Sequence, residues 1–312
     1  MSRVLVLGHD DARAALDPDA LLAAVRTALV STARGEASTP PRIAAFGPAG
    51  LLGAMPGYVP GLGMAGKLVT VFAVPGAPGR SSHRGVVALF DEHDGHLLAL
   101  IDAEAVTAAR TAASATVAFR GLVPGPVARI AVIGAGAQAR AQLELLAHLG
   151  TDAEVVVASR DPDSAAAAAR DAAVTAAATP EEAVAGAEVV FCCTDAAEPV
   201  VRLGWLAPGA HVSSVGGSRG PELDAATIAA AAVFVEWLGA VERPPPAGAH
   251  ELQGLPRDRV RMVGDVLGGV TTRTRGELTV FKSTGFAGLD VAAASVALAS
   301  ARREGLGSTV HL

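Results

Sequence analysis

The chain has 312 residues, 51% hydrophobic but only 4% aromatic, enough for about two domains built on alanine-rich helices rather than an aromatic-filled barrel. A net charge of −6 with no basic stretch excludes nucleic acid as a main partner. No apolar run reaches membrane-spanning length, and no signal-peptide pattern follows Met1-Ser2-Arg3, so a cytoplasmic protein that makes no use of membranes is expected. The two cysteines are adjacent, Cys192 and Cys193, and give neither a disulfide framework nor a zinc spacing.

Taken in order, Val4 to Leu7 reads as a short strand. Asp17-Pro18 opens a helix, with Asp as cap and Pro in the first turn. Leu21, Leu22, Val25, Leu29 and Val30 give it an apolar face, and Gly35 ends it. Strand-like pieces follow at Leu51–Met55 and Leu68–Phe72. Gly, Pro and Ser crowd Pro75 to Ser82, which reads as a loop. Val86–Phe90 and Leu97–Ile101 flank Asp94-Gly95, the signature of a hairpin turn. His93 and His96 beside it belong to that turn, and no metal site is expected. Asp102 caps a long helix through Arg120, and Gly121 to Gly125 reads as a linker.

The stretch from Ala128 to Arg160 organises the rest. Arg129 to Ile133 is a β-branched run, hence a buried strand. Gly134-Ala135-Gly136-Ala137-Gln138-Ala139 follows at once. Leu143, Leu145, Leu146 and Leu149 then recur at helical spacing up to Gly150, and Glu154 to Ala158 is a second strand. This is a βαβ unit with G-x-G-x-x-A at its turn, the pattern that binds dinucleotides. Gly134 permits the turn, Gly136 admits a pyrophosphate, and Ala139 lets the helix approach the sheet. The helix N-terminus offers N–H groups and partial positive charge to the anion. An NAD site carries an acid at the end of the second strand. Here Ser159-Arg160 stands there, and the acid, Asp161, comes only afterwards. A hydroxyl and a guanidinium suit a 2′-phosphate, so NADPH is the expected cofactor, with NADH as the alternative.

Alternating helices and strands continue beyond it. Asp161–Ala173 and Pro180–Ala185 read as helices. Val189–Thr194, His211–Val215 and Val233–Glu236 read as strands, and Asp224 caps a short helix. Arg243 to Gly248 is a Pro-rich loop, and from Thr279 a strand or turn leads into a long terminal helix.

These pieces, in this order, resemble the ornithine cyclodeaminase/mu-crystallin family across nearly the whole chain. Arg42 follows the family's proline. Met55-Pro56 and Gly66-Lys67-Leu68-Val69-Thr70 match its substrate segment, and Thr107-Ala108-x-Arg110-Thr111-Ala112 its signature helix. Gln138, Glu198-Pro199, Pro208-Gly209, Phe281-Lys282-Ser283-x-Gly285 and Asp290 fall in register. The resemblance implies an α/β fold with a Rossmann dinucleotide domain at 121–286. A mixed α+β substrate and dimerisation domain would be built from 1–120 and 287–312, and the protein would be a homodimer.

It also implies site residues. Arg42 and Lys67 map to the family's carboxylate clamp, and Arg110 lies near both carboxylate and cofactor. The chain's two lysines, Lys67 and Lys282, both fall in apolar, motif-like contexts. Lys67 is also a candidate proton donor, since neighbouring cations lower a lysine's pKa. Ser218 is expected at the substrate. Ser82, His83, Thr111, Thr194, Val215 and Ser283 are expected on the cofactor side, with Gly134, Gly136, Ala137, Gln138, Ser159 and Arg160. Two departures matter. The family's lyases carry Asp where Ser218 stands, and Glu where Gly53 stands. A serine does not exchange a proton near neutral pH as a carboxylate does. Both changes are similar to the mu-crystallin branch. The expected activity is therefore NAD(P)H-dependent reduction of a cyclic ketimine of the Δ1-pyrroline-2-carboxylate or Δ1-piperideine-2-carboxylate type, a small carboxylate-bearing imine. An alanine-type amino-acid dehydrogenase, an ornithine cyclodeaminase-like lyase and a non-catalytic binding protein are the alternatives.

Overall fold

The structure is a computed structural model that describes residues 3–73, 81–272 and 276–312; at Ala73 and residues 81–83 only the backbone is described. In chain order, β1 (Arg3–Leu7), α1 (His9–Ala15) and α2 (Pro18–Ala33) lead into four antiparallel strands: β2 (Ile43–Gly47), β3 (Gly50–Val59), β4 (Gly63–Ala73) and β5 (Ser81–Phe90). Next come β6 (Leu97–Asp102) and α3 (Ala103–Leu122). The parallel part runs β7 (Arg129–Ile133), α4 (Ala137–His148), β8 (Glu154–Ala158), α5 (Pro162–Ala172), β9 (Thr175–Ala176), α6 (Pro180–Val184), β10 (Val189–Cys192) and β11 (His211–Ser214). Then follow α7 (Ala225–Ala230), β12 (Ala232–Val235), α8 (Gly239–Glu242), β13 (Val260–Met262), α9 (Val263–Leu267) and β14 (Thr279–Lys282). The chain closes with α10 (Ala287–Glu304) and β15 (Ser308–His311). Two compact units result, residues 1–110 with 286–312, and residues 111–285, so α3 is shared between them.

The first unit is a seven-stranded sheet in the order β15-β1-β6-β5-β4-β3-β2, antiparallel except for the β1–β6 pair. One face is covered by α10, with 13 of its 18 residues buried. Its small side chains let it lie close: a Cβ on Gly57 of β3 would sit 2.7 Å from the Ala287 Cβ. Alternation along β3 and β4 therefore sends Met55, Val59, Ala65 and Lys67 under the helix. The opposite face exposes Ile43, Leu52, Met64 and Leu68.

The second unit is an eight-stranded parallel sheet, in the order β13-β12-β14-β11-β10-β7-β8-β9. The strand order reverses between β7 and β10, the place where open parallel sheets bind ligands. Its core is Ile130, Val132, Leu143, Leu146, Val157 and Phe191, with Phe119 edge-on to Phe191. The α/β fold is the expected one, and β7 and β8 have the bounds read from the sequence.

Helix starts follow their caps. Asp17 accepts from the Ala20 N–H, Asp224 from Thr227, and Asp102 from Ala105. Four strands escape the sequence reading. At the sheet edges, β2 and β15 are short and exposed, β13 has three residues and β9 two, so none carries a buried apolar run. The seven-residue α1 also escapes it. Ser81 and Ser82, read as loop, begin β5; Pro75 to Arg80 lie outside the described residues.

Candidate active site

In the first unit, Lys67 and Arg110 meet one carboxylate. Lys67 pairs with Met55 across β3–β4, and only 4% of it is exposed. Its Nζ donates to Thr107 Oγ1 on α3 and lies 3.4 Å from Asp290 Oδ1 on α10. One turn beyond Thr107, Arg110 Nε stands 3.3 Å from the same oxygen. That contact is an ion pair but not an aligned hydrogen bond: Arg110 Nε and Asp290 Oδ2 are buried without a hydrogen-bond partner among the described residues. Arg42, just before β2, adds its charge to the field at Lys67. Two buried cations, Lys67 and Arg110, thus face one carboxylate, a local excess of positive charge that suits a small carboxylate ligand.

Burial, more than its neighbours, pushes the Lys67 pKa down to about 8; Asp290 opposes the shift, and Arg110 and Arg42 add to it. The direction is the one expected from the sequence, but desolvation outweighs the cationic neighbours. Thr107 and Asp290 entered the sequence reading only as matches to the family pattern, with no role at the site. A lone acid within the apolar run Phe286-Ala287-Gly288-Leu289-Asp290-Val291-Ala292 was the available signal, since such a carboxylate needs a buried partner.

In the second unit, the β7–α4 turn has the features a dinucleotide needs. Gly134 has φ +120°, and a Cβ there would lie 2.5 Å from the Cys193 carbonyl. Its N–H donates to Ala158 O at 2.8 Å, tying the turn to the end of β8. Gly136 precedes α4, and a Cβ there would meet nothing within 4 Å, so the space before the helix is open. The first N–H groups of α4, from Ala137 and Gln138 on, have no partner within the helix. Gln138 Oε1 is buried with no hydrogen-bond partner among the described residues. Open space, free donors and an orphaned oxygen fit a pyrophosphate and its neighbours. Arg160 is exposed and Ser159 half-buried just past β8. Asp161 is engaged as the cap of α5, accepting from Asp163 N–H and Ser164 Oγ, which holds its carboxyl below the usual range.

The remaining positions divide. Thr111 and Ser283 are buried, and Val215 is half-buried. Ser283 Oγ donates to Glu236 at 2.8 Å. Thr194 gives both its N–H and its hydroxyl to Glu222. Ser218 Oγ donates to Asp195 Oδ1 at 2.6 Å, so a carboxylate stands beside the position where the lyases carry their own. The side chains of Ser82 and His83 lie outside the described residues. Among the described residues no cluster of His, Cys, Asp or Glu could hold a metal ion, and no helix is long and apolar enough to cross a membrane.

The chain is similar over most or all of its length to several known proteins. Mouse ketimine reductase mu-crystallin is 33% identical over 252 residues, 79% of each chain. The Thermococcus litoralis Δ1-pyrroline-2-carboxylate reductase, solved with NADH and L-proline, superposes with a TM-score of 0.86 at 26% identity, over 98% of this chain and 100% of that one. An archaeal alanine dehydrogenase, solved as a dimer with NAD, gives a TM-score of 0.84 at 27% identity over the full length of both chains. The sequence profile of the ornithine cyclodeaminase/mu-crystallin family matches residues 5–304. The chain therefore belongs to the ornithine cyclodeaminase/mu-crystallin family.

Proposed function

We propose that this protein reduces a cyclic 2-imino acid, of the Δ1-pyrroline-2-carboxylate or Δ1-piperideine-2-carboxylate type, to the L-imino acid with NADPH. It is an NAD(P)H-dependent oxidoreductase acting on C=N or CH–NH bonds, as its relatives are. The substrate class rests on one observation: Lys67 and Arg110 are buried around Asp290 with a surplus of positive charge. Such a cluster holds the carboxylate beside the imine carbon. Lys67, with its pKa near 8, also carries a proton that can be given up near neutral pH. When bound, the dinucleotide supplies the hydride.

The test is NAD(P)H oxidation against a panel of cyclic ketimines, with L-ornithine and L-alanine as controls. Turnover of a five- or six-membered ketimine is expected, faster with NADPH, and no ammonia from ornithine. Ammonia released from ornithine at ordinary rates would overturn the reading. Arg160→Ala should remove most of the NADPH preference, because one charge-assisted contact to the 2′-phosphate is worth about 1.5–3 kcal/mol, roughly ten- to a hundredfold. Equal affinities for NADPH and NADH in the unmutated protein would defeat the choice of cofactor.

A second copy of the chain is proposed to cover the apolar face of the first unit's sheet. Ile43, Leu52, Met64 and Leu68 lie on it, Ile43 with 69% of its surface exposed. Contiguous exposed apolar patches mark interfaces, and the archaeal alanine dehydrogenase is a dimer. Light scattering at micromolar concentration should give twice the chain mass, and Leu68→Asp should shift it towards the monomer. A monomeric unmutated protein would refute this assembly.

A further inference from the structure

Beneath the carboxyl edge of the parallel sheet lies a closed ionic cluster with no solvent access. Lys282, at the end of β14, is fully buried. Its Nζ donates to Ser214 Oγ at 2.8 Å and to Gly216 O at 2.9 Å, and lies 2.9 Å from Glu251 Oε1. Three partners match its three N–H bonds. Glu222 is also fully buried. Its Oε1 accepts from Thr194 N–H at 2.7 Å and Thr194 Oγ1 at 2.6 Å. Its Oε2 accepts from Ser214 Oγ at 2.7 Å and Gly216 N–H at 2.8 Å.

The two charges hold one residue through its two peptide groups. Glu222 takes the Gly216 N–H, and Lys282 takes the Gly216 carbonyl. Glu222 also locks Thr194, so the segments after β10 and β11 are fastened to each other. There is no slack for another residue. A Cβ on Gly216 would stand 1.9 Å from Thr194 O, and one on Gly217 2.9 Å from Lys282 Nζ. Burying an ammonium with two carboxylates carries a heavy desolvation cost. Neutral groups could join two loops more cheaply, but a charged centre in which every Nζ hydrogen of Lys282 and both oxygens of Glu222 are bonded fixes their spacing more tightly.

These segments follow β10 and β11, while the 2′-phosphate candidates Ser159 and Arg160 follow β8. The Gly134–Gly136 turn, on β7, lies between. A dinucleotide lying across this edge with its pyrophosphate at the β7 turn puts one half on each side. We propose that Lys282 and Glu222 are positioning residues: buried from substrate and dinucleotide alike, they set Thr194 and the Gly216–Ser218 turn against the nicotinamide half. The inference rests on the reading that the chain binds a nicotinamide dinucleotide.

The test compares NADPH with 2′-phospho-ADP-ribose, which lacks the nicotinamide. Titration calorimetry on Glu222→Gln and Lys282→Met should show fragment affinity within about twofold of the unmutated protein. NADPH affinity should fall about tenfold or more. With a ketimine substrate, kcat should drop about a hundredfold, the scale of a misplaced reactant. The primary isotope effect from 4-deuterated NADPH should grow as hydride transfer becomes limiting. If Lys282→Met does not fold, Ser214→Ala serves. It removes one link between the two side chains and leaves the Lys282–Glu251 pair and the bonds of Glu222 to Thr194 and Gly216. Equal losses for NADPH and the fragment would mean a merely structural cluster and overturn the proposal. So would folded Glu222→Gln and Ser214→Ala proteins with unchanged NADPH affinity, kcat and isotope effect. An unmutated protein that binds neither NADPH nor NADH would instead defeat the cofactor reading, and the inference with it.

Discussion

Lys67→Ala is expected to lower kcat/KM for ketimine reduction by about 10³-fold or more while leaving NADPH affinity within about twofold. Lys67 belongs to the first unit, and the dinucleotide turn at Gly134 and Gly136 to the second, so the turn does not need it to fold. A substrate carboxylate that loses its lysine loses a charge-assisted contact of about 1.5–3 kcal/mol. The imine carbon is then held less well against the hydride donor, which alone costs about a hundredfold. If Lys67 also gives the proton, a further 10²–10⁴-fold or so goes with it. Lys67→Arg separates the two roles, because a guanidinium binds a carboxylate but keeps its proton. It should regain part of the KM and little of the kcat. The unmutated enzyme should lose kcat/KM as pH rises through about 8, where Lys67 becomes neutral. The linked stability runs the other way. The folded pKa is lowered, so the unfolded chain binds more protons. Stability relative to Lys67→Ala should therefore rise between about pH 8 and the ordinary lysine range. Steady-state kinetics with fluorescence titration of NADPH decide the matter. A near-normal kcat/KM in Lys67→Ala would remove the lysine from the site and leave Arg42 and Arg110 to hold the substrate.

What the sequence made legible and what it hid differ by physical cause. The β7–α4–β8 unit could be read residue by residue because its signals are local: a β-branched run, two glycines, then a 3.6-residue period. Caps at Asp17, Asp102 and Asp224 are local for the same reason. Lys67 and Arg110 came from resemblance, and nothing local says why they belong together. Their common partner, Asp290, is 223 residues from Lys67 along the chain, and only the packing of α10 on the sheet brings it there. The same holds at Ser218. Its substitution for an acid reads as a lost carboxylate, yet the segment after β10 brings Asp195 to its hydroxyl from 23 residues away. The edge strands β2 and β15 were hidden because an exposed strand is defined by its hydrogen-bonded partner rather than by a buried apolar pattern. Thr194 stood out as the polar end of a strand, and Ser283 through its match to the family. Their carboxylate partners, Glu222 and Glu236, were passed over because an isolated Glu in sequence looks like surface charge.

Asp290→Asn is expected to move the alkaline limb of the kcat/KM profile from about pH 8 towards acid, by roughly one pH unit or more. The carboxylate 3.4 Å from Lys67 Nζ is the main influence raising that lysine's pKa against its burial. Asparagine keeps the shape and removes the charge, so burial and the two arginines act unopposed. At pH 8 more of the enzyme would then carry neutral Lys67 and bind the substrate carboxylate poorly. The change should also cost stability. Lys67 and Arg110 stay buried with no anion between them, and removing one partner of a buried pair typically costs about 3–5 kcal/mol. The two effects are separable, because a denaturant titration reads stability and the pH profile reads the lysine. Below the shifted limb, where Lys67 keeps its proton, a bound substrate carboxylate would replace the missing charge, so at that pH L-proline or another small imino acid should stabilise Asp290→Asn more than it stabilises the unmutated protein. An alkaline limb that stays near pH 8 in Asp290→Asn would show that the limb does not report on Lys67. Equal stabilisation of both proteins by L-proline would show that the carboxylate binds away from these cations.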